Sequence, residues 1–90
     1  MPLLSEFRGI RITINYEYDE KHSTPHFHAR YGNDEASFSI VTLEILASTG
    51  NFPARIAAEI REWALRHRKK LKKNWYRIQY SKPIEKIQEG

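Results

Sequence analysis

The ninety residues contain no cysteine, so neither disulfides nor a thiolate zinc site can staple the fold. No apolar run approaches the roughly 18 residues that a membrane span needs. The opening MPLLSEFRGI is too short and too acidic for a secretory signal. No internal repeat or low-complexity stretch interrupts the chain. A chain of this length makes one domain, residues 1–90, and its core is thin, because only roughly 60% of the unfolded surface can be buried. The expectation is a soluble, cytoplasmic protein built from one sheet and one helical segment, with a partner or a second copy as further support.

One shortage is local. No carboxylate occurs between Glu62 and Glu85, yet RHRKKLKKNWYR lies between them, in a chain of formal net charge +4. On a helical wheel Arg66, Lys70, Lys73 and Arg77 line one flank, and Arg55 extends it towards the N-terminus. Only Glu62–Arg66 has the i,i+4 spacing of a compensating pair. Such a flank suits the phosphate backbone of RNA or DNA, with Trp75 or Tyr76 available to stack. The plainer reading is a solvated face whose cations complement a helix C-terminus. Leu65 and Tyr76 fall opposite the core stripe, where a homodimer or partner contact fits.

Hydrophobic periodicity supplies the elements. IRITINYEY alternates with Ile10, Ile12, Ile14, Tyr16 and Tyr18 on one face, which marks a half-buried strand over about 9–18. HFHARY, 26–31, places Phe27, Ala29 and Tyr31 on one side and His26, His28 and Arg30 on the other. Gly32, Asn33 and Asp34 supply a hairpin turn. EASFSIV reads as a strand over 35–41, and LEILA as a short fourth strand over 43–47. At Gly50 the pattern changes. Asn51 serves as a cap, Pro53 suits a first helical turn, and Ile56, Ile60, Ala64, His67, Leu71, Asn74 and Ile78 recur at helical spacing. This predicts a helix, or a helix pair kinked near His67, over about 53–80. Pro83 ends it, and 81–90 reads as a flexible tail. The fold class is α+β, a small antiparallel sheet of three to four strands with helix on one face. The other face then carries Arg11, Thr13, Asn15, Glu17, His26, His28, Arg30, Ser37 and Ser39. His67 lies on the core stripe and is expected to be buried and hydrogen-bonded.

The densest chemistry is HSTPHFHARYG, with three histidines in seven residues. Residues i and i+2 of a strand point the same way, so His26 and His28 stand side by side. Two imidazoles at this spacing can share a divalent metal, with His22 as third ligand and Asp19 or Glu17 next nearest. They can equally act as acid and base without metal, beside Arg30 as a phosphate-stabilising cation. A third reading has them only ordering the turn and satisfying backbone groups at a sheet edge.

The run Asp19, His22, Pro25, His26, Phe27, His28, Ala29, Arg30, Tyr31, together with Phe7, Gly9 and Ile10 before it and Glu62, Trp63, His67, Leu71, Asn74 and Trp75 after it, resembles a bacterial and archaeal family catalogued as domain of unknown function 4160. Thr24-Pro25 stands where members more often carry two prolines. The resemblance covers nearly the whole chain and implies a small stand-alone protein, often encoded beside a second small protein, as in toxin–antitoxin modules. It implies a protein partner and gives weight to the histidine motif, but brings no established activity. The leading expectation is a component of a toxin–antitoxin-like module that binds nucleic acid and a cognate protein. The alternatives are a metal-independent ribonuclease using His26 and His28, and a non-enzymatic interaction module that binds metal through the same pair.

Overall fold

A computed structural model describes residues 3–15 and 24–88. Five antiparallel strands follow one another as a meander in the order β1 to β5. They are β1 (Leu3–Phe7), β2 (Ile10–Thr13), β3 (His26–Tyr31), β4 (Asp34–Ser39) and β5 (Ile45–Ser48), and two helices follow, α1 (Ala54–Arg66) and α2 (Arg68–Gln79). The architecture is the expected α+β arrangement, with the helix pair broken at His67 and one strand more than foreseen.

The additional strand is β1. It does not alternate, because its register against β2 shifts between Leu3 and Ser5, leaving Leu4 and Ser5 both buried. Its turn uses Arg8 and Gly9, both at positive φ (49° and 77°), as in a type I′ hairpin. Arg8 Nη1 reaches Glu59 Oε1 of α1 at 3.3 Å, tying this turn to the helix. β2 stops at Thr13, although Ile14 remains fully buried. The rest of the long strand expected over 9–18, Tyr16 to Tyr18, lies outside the described residues.

β3 and β4 pair from His26↔Ser39 to Tyr31↔Asp34. Gly32, at φ 62°, takes the first turn position, as in type II′. The strand expected over 35–41 ends early. Ser39 Oγ accepts the N–H groups of Val41 and Thr42 at 3.1 and 3.0 Å, and the Leu43 N–H donates to Ser39 O. A hydroxyl that satisfies two backbone donors favours a turn over a continuing ladder. The turn holds Leu43 at φ 64°, a conformation that costs a side-chain-bearing residue. Leu43 is 6% exposed, and Arg61 Nε donates to its carbonyl at 3.1 Å.

The apolar sides of the strands (Ile10, Ile12, Phe27, Ala29, Ala36, Phe38) and of α1 (Ile56, Ala57, Ile60, Trp63, Ala64) close on one core. Spacing of three and four residues puts those α1 side chains on one stripe. Trp63 sits at the centre, with its ring 5.2 Å from Phe7 and 6.0 Å from Phe27. The carbonyl of Pro53 accepts the Ala57 N–H at the start of α1, with no side-chain cap, so Asn51 does not play the role expected of it.

His67 is half-buried against Trp63 (5.4 Å) rather than buried on the stripe. It is the residue between the helices, at φ −116° and ψ 21°; its N–H reaches both Trp63 O and Ala64 O, and its carbonyl accepts the Leu71 N–H of α2. α2 then ends before Pro83 in a Schellman arrangement. The Lys82 N–H donates to Arg77 O, the Ser81 N–H donates to Ile78 O, and Ser81 is at φ 56°. Glycine avoids the Cβ penalty there. Ser81→Gly is therefore expected to stabilise the protein by roughly 0.5–1 kcal/mol, seen as a higher midpoint in urea with an unchanged slope.

Residues 82–88, read from sequence as part of a flexible tail, run back to β1. The Ile87 N–H donates to Leu4 O at 2.9 Å, and Ile87 is 2% exposed. Asn74, buried in α2, holds the Glu85 backbone from both sides. Its Oδ1 accepts the Glu85 N–H at 2.6 Å, and its Nδ2 donates to Glu85 O at 2.8 Å. No helix among the described residues is long and apolar enough to cross a membrane.

Candidate functional site

The register of the meander assembles the polar face of the sheet in rows. Glu6, Arg11, Arg30 and Glu35 stand opposite one another across β1 to β4, and Thr13, His28 and Ser37 form the next row. Arg11 and Arg30 are thus direct cross-strand neighbours of like charge, a pairing that is unfavourable alone. Each is drawn outward to a carboxylate, Arg11 Nε to Glu6 Oε2 and Arg30 Nη1 to Glu35 Oε1, both at 3.2 Å. Arg30 Nε also donates to Gly32 O at 3.3 Å. These are solvent-exposed pairs, worth about 0.2–1 kcal/mol each. Their effect is to make the row neutral in sum while two guanidiniums remain side by side at its middle. Arg11, Thr13, His28, Ala29, Arg30 and Glu35 line a shallow concavity there.

His26 and His28 share this face as expected, with ring centroids 5.1 Å apart and edge to face. His26 Nδ1 lies 2.8 Å from Thr24 O. A carbonyl can only accept, so Nδ1 carries the proton, and in the neutral ring the lone pair is on Nε2. A ring tied down in this way is oriented for metal ligation or proton transfer. The ring of Trp75 lies 5.1 Å from His26 on another side, so α2 leans on the histidine end of the row. Trp75, which the sequence reading offered as a stacking residue, is half-buried, packs against the core and also lies against His26.

Not every residue assigned to this face is available on it. Ser39 is 2% exposed, and its hydroxyl is committed to the turn. Glu17, Asp19 and His22 lie outside the described residues. Among the described residues no three histidine, aspartate or glutamate side chains come together as a metal site. Of the ligand set expected from sequence, His26 and His28 are adjacent on this face, and His22 lies outside the described residues.

The basic helix departs furthest from the sequence reading. Of the cations expected to form one flank, Arg66 pairs with Glu62 at 3.5 Å. Glu85 Oε1 takes both Lys73 (3.2 Å) and Arg77 (3.8 Å). Arg77 Nε also donates to Pro83 O. Arg55 is exposed at the start of α1, on the other side of the helix break. Lys70 alone of the α2 flank is exposed without an ion pair, and Lys69 and Lys72, not singled out from sequence, share that condition among the described residues. Beyond them stand Tyr76 and Tyr80, 58% and 62% exposed, with rings 4.6 Å apart. Lys69, Lys72 and Tyr80 fall outside the flank expected from sequence, because the ion pairs of Glu85 depend on the return of the C-terminal segment. The signal was the helical spacing of 69, 72, 76 and 80.

No curated protein and no solved structure matches this chain. A family model, Domain of unknown function (DUF4160), matches residues 9–76. That span runs from the turn before β2, through the HFHARY strand, to Tyr76 of α2. It holds the histidine row, Arg11, Arg30 and the exposed lysines, and leaves out β1 and the returning C-terminal segment. With most of its length inside that match, the chain belongs to the DUF4160 family.

Proposed function

We propose that this protein binds nucleic acid, with α2 as its electrostatic footing, as the component of a toxin–antitoxin-like module that also engages a cognate small protein. The observation that carries the reading is the exposed group Lys69, Lys70 and Lys72, with no carboxylate partner among the described residues. Elsewhere ion pairs are common, although Arg55, Arg61, Arg68, Lys82 and Lys86 also have none among the described residues. Arg8, Arg11, Arg30, Arg66, Lys73 and Arg77 all sit within ion-pair distance of a glutamate. Cations left unmatched at this density gain most from a polyanion, because each phosphate contact releases a condensed counterion. A cognate protein has available the outer edge of β5, which pairs with no further strand among the described residues, with Val41 and Leu46 exposed.

The test is salt-dependent binding of a short labelled RNA, followed by fluorescence anisotropy between about 50 and 200 mM salt. Three phosphate contacts predict a log–log slope near −2, from about −0.7 per contact on a single strand. Replacing Lys69, Lys70 and Lys72 with glutamine should flatten it. Absence of binding at the lowest salt would remove the proposal.

A second reading has one specific support, the oriented His26 ring beside His28, which itself lines the concavity that holds Arg11 and Arg30. These are the groups a metal-independent ribonuclease needs: a base, an acid and a charge on the phosphate. If it is right, expression of the wild-type chain arrests growth and the His26→Ala/His28→Ala variant does not. Equal growth of both strains speaks for binding alone.

A further inference from the structure

We infer that the nucleic acid is taken as a single strand, with bases stacked on the Tyr76–Tyr80 pair and phosphates on Lys69, Lys70 and Lys72. This rests on the nucleic-acid reading above and adds the class of ligand. Tyr76 and Tyr80 are one turn apart at the C-terminal end of α2, with ring centroids 4.6 Å apart and planes inclined by 38°. Both are more than half exposed, whereas Leu71, Asn74 and Ile78 on the opposite side of the helix meet the core. Lys69, Lys72, Tyr76 and Tyr80 are spaced by three, four and four residues, so they form one stripe along the solvent face.

The alternation of the stripe carries the argument. Aromatic rings exposed beside ammonium groups match a ligand that presents flat apolar faces and negative charge at short intervals. A single strand does so, because its bases are free to leave their stack and lie on a ring. A duplex keeps those faces inside, and would use the lysines while leaving the tyrosines idle. An acidic protein segment would satisfy the lysines but has no repeating flat face for the rings. Glu85 sharpens the selection. By taking Lys73 and Arg77, it removes the cations flanking the rings on one side and leaves the run from Lys69 to Lys72 as the polyanion track.

The experiment compares labelled oligo-dT, alone and annealed to oligo-dA, against the wild-type chain and three variants. Tyr76→Ala/Tyr80→Ala should weaken single-strand binding by at least about thirtyfold, the low end for two stacked bases. Its salt slope and duplex affinity should not change. Tyr76→Phe/Tyr80→Phe should bind as the wild type does, since the ring and not the hydroxyl is used. Lys69→Gln/Lys70→Gln/Lys72→Gln should weaken both ligands. All these positions are exposed, so none of the variants challenges folding. If the alanine pair binds the single strand as well as the wild type while the lysine variant does not, stacking is wrong and the nucleic-acid reading stands. A wild-type preference for the duplex overturns the inference in the same way. If the wild type binds neither ligand, the underlying reading fails with it.

Discussion

Asn74→Ala should destabilise the protein by about 2–4 kcal/mol and, on the proposed function, tighten its grip on nucleic acid at the same time. The first effect follows from burial. Asn74 is 1% exposed, and its amide is the partner of both the Glu85 N–H and the Glu85 carbonyl, besides the bond it donates to Lys70 O at 3.0 Å. Alanine leaves two backbone groups without a partner, at about 1–3 kcal/mol each where they stay buried. If the segment lets go instead, it exposes Ile87 and Ile84 and loses their apolar burial. Either route lowers the urea midpoint. The second effect follows from Glu85, whose carboxylate leaves Lys73 and Arg77 when the segment is released. Glu85→Gln separates the two. It keeps the backbone clamp, so stability should hold, yet it frees the same two cations, and RNA affinity should rise as in the alanine variant. A stable Asn74→Ala protein would mean that residues 82–88 are not held as described.

Trp63→Ala has the larger structural effect, about 3–5 kcal/mol. Its indole joins three elements, being within stacking distance of Phe7 on β1, Phe27 on β3 and His67 at the helix break. The Phe27 and Phe38 rings stack 5.4 Å apart beyond it, so the void would open at the centre of a core that is thin already. Domains of this size hold about 5–15 kcal/mol in all, so the variant should approach the edge of folding, with a melting temperature lower by more than about 10 °C. Trp63→Phe keeps a ring in place and should retain most of the stability. The comparison is read by chemical denaturation, with far-ultraviolet dichroism as the signal.

What the sequence revealed and what it concealed have physical causes. HFHARY and EASF alternate cleanly, so β3, β4 and the shared side of His26, His28 and Arg30 were legible. The apolar stripe of the helical segment was legible from its spacing of three and four residues, but whether it was one helix or a pair broken at His67 stayed open. β1 was not, because its register shift puts Leu4 and Ser5 both inward and erases the period of two. Nor is Arg8-Gly9 a usual hairpin pair. The end of β4 was hidden in one hydroxyl, since nothing in SFSIVT announces that Ser39 will bind its own chain two and three residues on. Row partners such as Arg11 opposite Arg30 depend on register, which turn geometry sets and composition does not show. The ion pairs of the basic flank were hidden for a longer-range reason. The carboxylate that silences Lys73 and Arg77 comes from beyond Pro83, on a segment that stays in place through a buried asparagine and one isoleucine.

On the proposed function, the unmatched lysines of α2, continued by Tyr76 and Tyr80, are the surface that meets nucleic acid. The most direct measurement is a titration of the isotopically labelled protein with oligo-dT, following the backbone amides by nuclear magnetic resonance. The largest shifts are expected to run from Lys69 to Tyr80 and to fade as salt is raised. Shifts confined to the edge strand β5 and to Val41, or no shifts along α2 at low salt, would contradict it.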